Sequence, residues 1–277
     1  DGTLSGGRAA RPGGARAAMS ARARCGAPIA VLGVAAAAAA VGCDPDVVVG
    51  HDAVNAPAVA AESPVPWSAH HETGDVSEWT GDGFGWRYVT EAASLVTGAD
   101  LAHGGSLALV ATVTRSDALE QAVVGRRVRL AEGYFTAWYH VPVTSVPAGR
   151  VLLKLSASEP YTDLFDLIAT PRESALAIRL YDHVAGAFVT DPDAVPAVPV
   201  GEWFELEAFY RASPGEDGRL VVWQNGALIL DTGPRRTAPD NQVTFIVGSV
   251  AQIDTVEPTV TYIDDAAIRA GQYLPAP

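Results

Sequence analysis

Four predicted strands of this chain each carry a polar face with side chains that could transfer protons, bind anions or stack on a flat apolar surface. Residues two apart in a strand share a face, because successive side chains point to opposite sides. This rule places His140 on the same face as Trp138, and Phe135 and Tyr139 on the other face. Applied to the four strands, it selects Trp138, His140, Lys154, Arg179, Tyr181, Glu205 and Glu207. If the strands are neighbours in one sheet, these seven side chains line a single surface, which is the candidate ligand site.

The residue types of this surface suit two kinds of chemistry. A histidine, a tyrosine, a lysine and an arginine could neutralise a carboxylate and move a proton, as a β-elimination requires. An aromatic ring such as that of Trp138 can cover the apolar side of a pyranose while polar neighbours bind its hydroxyls. The alternative is a solvated face whose basic and acidic side chains only pair across strands, at about 0.2–1 kcal/mol per pair.

Charge and cysteine content exclude several classes of protein. The chain has a net charge of −13 and a pI of about 4.8. We therefore expect neither nucleic acid nor anionic lipid as a partner. The cysteines, Cys25 and Cys43, both precede the predicted domain, so this domain forms no disulfide and depends on its hydrophobic core. The sequence after Cys43 has no serine-hydrolase elbow, phosphate-binding glycine loop or zinc-ligand spacing, and we expect no organic cofactor.

The N-terminal region has the pattern of a bacterial export signal. Met19 is followed by Arg22 and Arg24 and by an apolar run over Ala27–Val41, shorter than the roughly 20 residues of a transmembrane helix. The small residues before Cys43 resemble the lipobox of bacterial lipoproteins, in which this cysteine is acylated; a signal without lipidation is the alternative. We predict upstream sequence at 1–18, a signal peptide at 19–42, a lipidated tether at 43–66 and one domain at 67–277. The protein would then be exported and held on a bacterial membrane only by its lipid, facing the periplasm or the cell exterior.

Beyond residue 66, short runs of β-branched and aromatic residues alternate with Gly, Pro, Asn and Asp, which is typical of antiparallel β-proteins. The predicted strands are Ser106–Thr114, Gly133–Pro142, Arg150–Ser156, Ala175–Asp182, Glu202–Arg211, Gly218–Gln224, Ala227–Asp231, Val243–Ser249 and Val260–Arg269. Asn225-Gly226 predicts a two-residue type I′ hairpin, because both residue types tolerate positive φ. No long amphipathic helix is visible, and Ser116–Val124 is the best candidate for a short one.

Three segments follow one another in the chain: HETGDVSEW at 71–79, GEWFELEAFY at 201–210 with GRLVVWQNG at 218–226, and YIDDAAI at 262–268. Together they resemble the opening strand, a strand pair and the closing strand of the concanavalin A-like lectin/glucanase superfamily, which includes laminin G-like domains and several polysaccharide lyases. The resemblance implies an all-β, two-sheet antiparallel jelly-roll sandwich, with its first and last strands side by side and a concave outer face. Carbohydrate-binding modules of the galactose-binding type have similar closing segments and are the alternative fold.

The resemblance also implies a polysaccharide or another glycan as the partner. Our first interpretation is a cell-envelope lipoprotein with a non-catalytic carbohydrate-binding domain. The alternative is a polysaccharide lyase or another glycan-active enzyme that uses residues such as His140, Lys154, Arg179 and Tyr181, although the acidic chain disfavours a uronate polymer. A retaining glycosidase would need two carboxyl groups about 5–5.5 Å apart, but Glu205-Leu206-Glu207 departs from the strand signature of the glucanases in this superfamily. A structural or adhesive surface protein without sugar affinity is the third interpretation.

Several members of the superfamily bind a structural calcium ion near their paired terminal strands. Calcium takes oxygen ligands, and the resemblance implies one ion held by Glu72, Asp75, Asp264 and Asp265. The alternative is that the two aspartates only blunt an edge strand. The adjacent His70 and His71 would point to opposite faces of a strand, and we predict that both lie at the surface.

Overall fold

The computed structural model describes residues 63–114, 118–142, 149–158, 161–191, 193–238, 242–251 and 258–273. All of them belong to the unit Cys43–Pro277. The predicted signal peptide, the lipidation site Cys43 and the tether up to residue 62 lie outside the described residues.

Strands make up nearly all of the regular structure. They are β1 (Trp67–Ala69), β2 (Gly85–Val89), β3 (Ala93–Gly98), β4 (Ala108–Val113), β5 (Glu120–Arg129), β6 (Glu132–His140), β7 (Arg150–Ser158), β8 (Tyr161–Arg172), β9 (Ala175–Asp182), β10 (Ala187–Phe188), β11 (Trp203–Arg211), β12 (Arg219–Gln224), β13 (Ala227–Asp231), β14 (Gln242–Ala251) and β15 (Thr259–Ala270). One helix, α1 (Ser77–Thr80), lies within the described ranges. No helix in these ranges is long and apolar enough to cross a membrane.

The strands form two antiparallel sheets that pack as a sandwich. The first sheet has the order β13-β12-β11-β6-β15-β4-β3, and β1 also pairs with β15. The second sheet has the order β10-β9-β8-β7-β14-β5-β2. The register Trp67↔Ile268 places the first strand beside the last one, as predicted. The predicted all-β, concanavalin A-like jelly-roll sandwich is thus confirmed.

The core between the sheets consists of alternate residues of each strand. In the first sheet, Phe135 and Tyr139 of β6 and Phe204 of β11 face inward and are buried. In the second sheet, Leu155 of β7 and Phe245 of β14 do the same. The residues between them therefore point away from the core, and the predicted assignment of faces is correct along these strands.

The predicted helix at Ser116–Val124 is wrong. From Glu120 the chain is strand β5, in which Ala122, Val124 and Val128 alternate and enter the core. The predicted strands also lack β2, β3, β8 and β10. The strands β5 and β8 are buried on both faces for most of their length, so they show little of the alternation of polar and apolar residues that would indicate a strand.

The segment 71–79 is not the opening strand that the resemblance implied. It forms a turn and α1, and His71 has a φ of 62°. The opening strand is β1, which ends two residues earlier. By contrast, the hairpin between β12 and β13 is confirmed, since Asn225 and Gly226 have φ values of 50° and 74°.

Candidate functional site

The seven predicted site residues do not line one surface. Trp138, His140, Glu205 and Glu207 lie on the outer face of the first sheet, because β6 pairs with β11. Lys154, Arg179 and Tyr181 lie on the outer face of the second sheet, in β7 and β9. The single-surface prediction is wrong because the chain crosses from one sheet to the other between β6 and β7. Whether either group binds a ligand stays a prediction.

The group on the second sheet is centred on a buried ion network. The ammonium of Lys154 lies 3.0 Å from Asp163 Oδ2 and 3.6 Å from Asp166 Oδ1. The hydroxyl of Ser156 donates a hydrogen bond of 3.0 Å to the other oxygen of Asp163. Although these side chains point away from the core, Lys154, Asp163 and Asp166 are only 6%, 5% and 2% exposed. Two carboxylates at this distance, shielded from water, stabilise the charged form of the lysine.

The network continues toward the edge of the sheet through a histidine and a tyrosine. His183 Nε2 lies 3.1 Å from Asp166 Oδ2. The ring of Tyr181 meets the ring of His183 edge to face, with a centroid distance of 4.8 Å. On its other side Tyr181 contacts Phe188 at 5.1 Å, and the guanidinium of Arg179 lies 3.8 Å from the centroid of the same phenylalanine ring. A tyrosine, a histidine and two cations therefore share one face of this sheet.

Three residues of this site were not predicted from the sequence: Asp163, Asp166 and His183. The two aspartates are three residues apart, which in a regular strand would put them on opposite faces. A register shift between Leu155 and Ser156 on the partner strand marks an irregularity that lets both face outward. His183 had a usable signal, since it stands two residues after Tyr181 and continues its face beyond the end of β9.

The group on the first sheet is an aromatic cluster. The imidazole of His103 stacks on Trp138 with a centroid distance of 3.8 Å, and it meets Trp203 edge to face at 5.6 Å. His140 lies between Trp203 and Tyr262, at 5.7 and 5.8 Å. His140 therefore cannot take part in chemistry at Tyr181, since these two residues lie on opposite outer faces of the sandwich.

Of the two predicted glutamates on the first sheet, Glu207 has an ordinary structural partner for its carboxylate. Glu207 accepts a hydrogen bond of 2.8 Å from Arg269 across the sheet. Burial raises the pKa of Glu207 above its usual value, against the opposing effect of Arg269. Asn225 accepts a hydrogen bond from the backbone N–H of Glu205. The contact between Glu207 and Arg269 matches the alternative interpretation, in which basic and acidic side chains on this face only pair across strands.

His71 is buried, so the prediction that both adjacent histidines lie at the surface is wrong for it. Its Nε2 accepts a hydrogen bond of 3.0 Å from the indole N–H of Trp79, which places the proton on Nδ1. This Nδ1 lies 3.3 Å from the carboxylate of buried Asp264. The other oxygen of Asp264 accepts hydrogen bonds from the backbone of His103 and Gly104. Exposed His70 instead binds Asp265.

The structure does not assemble the four predicted calcium ligands into one site. Glu72 accepts hydrogen bonds from the backbone of Ser106 and Leu107, and Asp75 binds within its own turn. Asp265 lies between His70 and His103. Throughout the described ranges, no group of three or more His, Cys, Asp or Glu side chains could hold a metal ion. Calcium binding therefore stays a prediction without assigned ligands.

Known proteins resemble this chain in structure. No protein-family model matches the sequence, and the search of curated proteins finds no match. Among solved structures, the endo-β-1,4-glucuronan lyase of the fungus Trichoderma reesei superposes with a TM-score of 0.59 and 14% identity, over 76% of this chain and 96% of the lyase.

Two further solved structures share the fold. Alginate lyase Aly36B has a TM-score of 0.53 and 12% identity, over 76% of this chain and 99% of the lyase, and it has also been solved with an alginate trisaccharide. The cellulose-induced protein Cip1 has a TM-score of 0.51 and 12% identity, over 76% and 99% of the two chains. Such identities show a shared fold alone. In fold, this chain is a two-sheet antiparallel jelly-roll sandwich, as these three proteins are.

Proposed function

We propose that the domain is a polysaccharide lyase that cleaves a uronate-containing polysaccharide on the outer face of the second sheet. One observation carries the proposal: the ring of Tyr181 contacts that of His183, and His183 Nε2 lies 3.1 Å from Asp166 Oδ2, on the face that also carries the cations Lys154 and Arg179. The glucuronan and alginate lyases among the structural neighbours support a reaction of this type.

A β-elimination suits these residues. A base removes the proton on C5 of a uronate unit, the bond from C4 to the glycosidic oxygen breaks, and a C4=C5 double bond forms. The leaving oxygen takes a proton from an acid, so no water is consumed. Cations beside the carboxylate lower the barrier, because they stabilise the charge that moves onto this group as the C5–H bond breaks.

The geometry suggests a role for each side chain. With Nε2 of His183 turned toward Asp166, an Nε2–H tautomer leaves Nδ1 as the base, and Asp166 stabilises the imidazolium that forms. The hydroxyl of Tyr181 is the acid for the leaving oxygen. Arg179 attracts the uronate carboxylate, and Lys154 positions Asp166, which lies next to His183.

The outer face of the second sheet carries several basic residues, although the chain as a whole is acidic. Arg127 and Arg129 of β5 have the same orientation as Gly125 and lie on the outer side of the second sheet. With Lys154 and Arg179 they bring four basic residues to the face that carries Asp163 and Asp166. This side of the domain therefore carries basic residues as well as the two aspartates.

The test is the formation of unsaturated uronate ends, followed by their ultraviolet absorbance, when the protein is mixed with glucuronan or alginate. Removal of a general acid or base costs about 10²–10⁴-fold in rate, so Tyr181→Phe and His183→Ala should each lose at least 100-fold. Glu205→Gln, on the first sheet, is the matched control and should retain full rate. No absorbance from the wild-type protein over a broad panel of uronate polymers would refute the proposal.

Non-catalytic carbohydrate binding is the second candidate. The partly exposed Trp138 and Trp203 on the first sheet favour it, since such rings can hold sugars. Retention on polysaccharide columns without cleavage, lost in Trp203→Ala and retained in Tyr181→Phe, would support this function over the lyase.

We also propose that the domain is exported and anchored through lipid on Cys43. This rests on the signal-like sequence before that residue. Cells fed a labelled fatty acid should incorporate the label into the wild-type protein and not into Cys43→Ser. Labelling of both proteins to the same extent would contradict the proposal.

A further inference from the structure

One row of residues crosses all strands of the second sheet. The strand register pairs Trp86 with Gly125, Gly125 with Ile246, and Ile246 with Lys154. It continues from Lys154 to Asp166, then to Tyr181 and Phe188. Each residue of the row is directly opposite the next one, so their side chains follow a line perpendicular to the strands.

At one end of the row, the indole of Trp86 lies against Gly125 of β5. A side-chain Cβ at Gly125 would come within 2.7 Å of the Trp86 ring, so glycine is needed for the ring to lie there. The neighbouring Val124 enters the core, so a Cβ added at Gly125 would point to the outer face. The ring of Trp86 therefore lies on that outer face. Trp86 is partly exposed and belongs to β2, the last strand in the order of the sheet.

The ion network lies between two aromatic ends. Lys154 is the central residue of the row, with Asp166, Tyr181 and Phe188 on one side and Ile246, Gly125 and Trp86 on the other. At a spacing of roughly 4.8 Å per strand, Trp86 lies roughly 14 Å from Lys154 and roughly 24 Å from Tyr181 along the sheet. Phe188 at the opposite end has Arg179 over its ring, whereas the ring of Trp86 lies against Gly125 and is partly exposed.

We infer that Trp86 forms a distal sugar-binding subsite, on which a pyranose ring of the polysaccharide stacks while another unit of the same chain is cleaved at Tyr181 and His183. This inference rests on the proposed function and extends it: the polysaccharide crosses the strands along the row, and chain length decides how well a substrate binds. A polymer reaches both places at once. A trisaccharide bound at Tyr181 is too short to reach Trp86.

The experiment compares alginate and glucuronan polymers with their trisaccharides as substrates. Trp86→Ala should raise KM for the polymer about fivefold to tenfold, as expected for the loss of one stacking contact, and leave the rate on the trisaccharide within about twofold. Gly125→Ala keeps the indole but forces it to move, and it should shift KM in the same direction. Trp223→Ala is the matched control, a partly exposed tryptophan on the outer face of the first sheet, and it should leave both substrates unchanged. Thermal unfolding of each variant verifies that it folds.

The outcomes separate this inference from the function on which it rests. If the polymer is cleaved and Trp86→Ala changes polymer and trisaccharide equally, or Trp223→Ala has the same effect, the subsite is refuted while the lyase stands. If no substrate is cleaved, affinity electrophoresis in a gel that contains the polymer tests the subsite alone. Weaker retention of Trp86→Ala than of Trp223→Ala by the polymer supports the subsite without the lyase. Equal retention, or no retention of the wild-type protein, refutes the subsite.

Discussion

Lys154 is the only lysine in the chain, and it is buried between two aspartates on the outer face of a sheet. Removal of any one of these three side chains would leave a buried charge without its partner, which is strongly destabilising. The three side chains therefore act as one unit, which also places His183 through Asp166. The same contacts that stabilise the fold at this point position the proposed base.

We predict that Lys154→Met lowers the free energy of unfolding by about 3–5 kcal/mol, because it leaves two buried carboxylates without their cation. Urea denaturation measures this value. The triple variant Lys154→Met, Asp163→Asn, Asp166→Asn removes all three charges and should recover part of the loss. A loss below about 1 kcal/mol in the single variant would show that the aspartates do not depend on the lysine.

The side chain of His71 also stabilises the fold through its own contacts. Its Nε2 accepts a hydrogen bond from the indole N–H of Trp79, and its Nδ1 lies next to the carboxylate of Asp264. All three side chains are buried. His71→Phe should lower the free energy of unfolding by about 1–3 kcal/mol, because the buried indole N–H of Trp79 loses its acceptor. The control is His70→Phe, whose side chain is exposed and should cost less in the same denaturation experiment. Equal effects of the two substitutions would contradict the burial argument.

At the scale of elements, the hairpin between β12 and β13 shows a turn decided by local chemistry. Gly226 has a φ of 74° and nothing lies within 4 Å of a Cβ added there, so an alanine meets only backbone strain. Gly226→Ala should therefore destabilise the fold by about 1–2 kcal/mol. Gly215→Ala, at an exposed glycine without positive φ, is the control and should be close to neutral. Chemical denaturation of both variants tests this difference.

The structure of two other elements depends on tertiary contacts. The strand β8 carries Asp163 and Asp166 outward across an irregular register with β7, and no local pattern announces this irregularity. The segment at 71–79 resembles an opening strand in sequence but folds into a turn and a helix, where the indole of buried Trp79 donates a hydrogen bond to His71. In both cases a tertiary contact outweighs the local preference.

At the scale of the whole molecule, one carboxylate joins three distant parts of the chain. Asp265 of the last strand binds His70, just after the first strand, and His103 in the loop before β4, each at 2.7 Å. The hydrogen bond to Asp265 raises the pKa of His70 above 6.5. Burial raises the pKa of Asp265, but the hydrogen bonds from His103 and His70 outweigh it and hold this pKa below 3.8.

These shifts predict where in pH the contact stabilises the fold. The contribution of His70 is complete below pH 6.5 and is lost as the pH rises through its raised pKa, whereas that of Asp265 is lost as the pH falls through its lowered pKa. Asp265→Asn retains a residue type that tolerates the φ of 46° at this position. The loss of stability in this variant should be larger at about pH 5.5 than at about pH 8.5, in denaturation curves at both values. An equal loss at the two values would refute the ionic contribution.

The sequence by itself determined the class of the fold, most strands, the Asn225-Gly226 hairpin and the outward direction of Trp138, Lys154 and Tyr181. These properties depend on alternation and on local backbone preferences, which a single strand or turn already contains. Only the tertiary structure decided which outward faces belong together. Strand neighbours in a jelly roll are distant in sequence, so the separation of His140 from Tyr181, the union of Lys154 with Asp166 and His183, and the row that ends at Trp86 all arise from pairings between strands that no local pattern encodes.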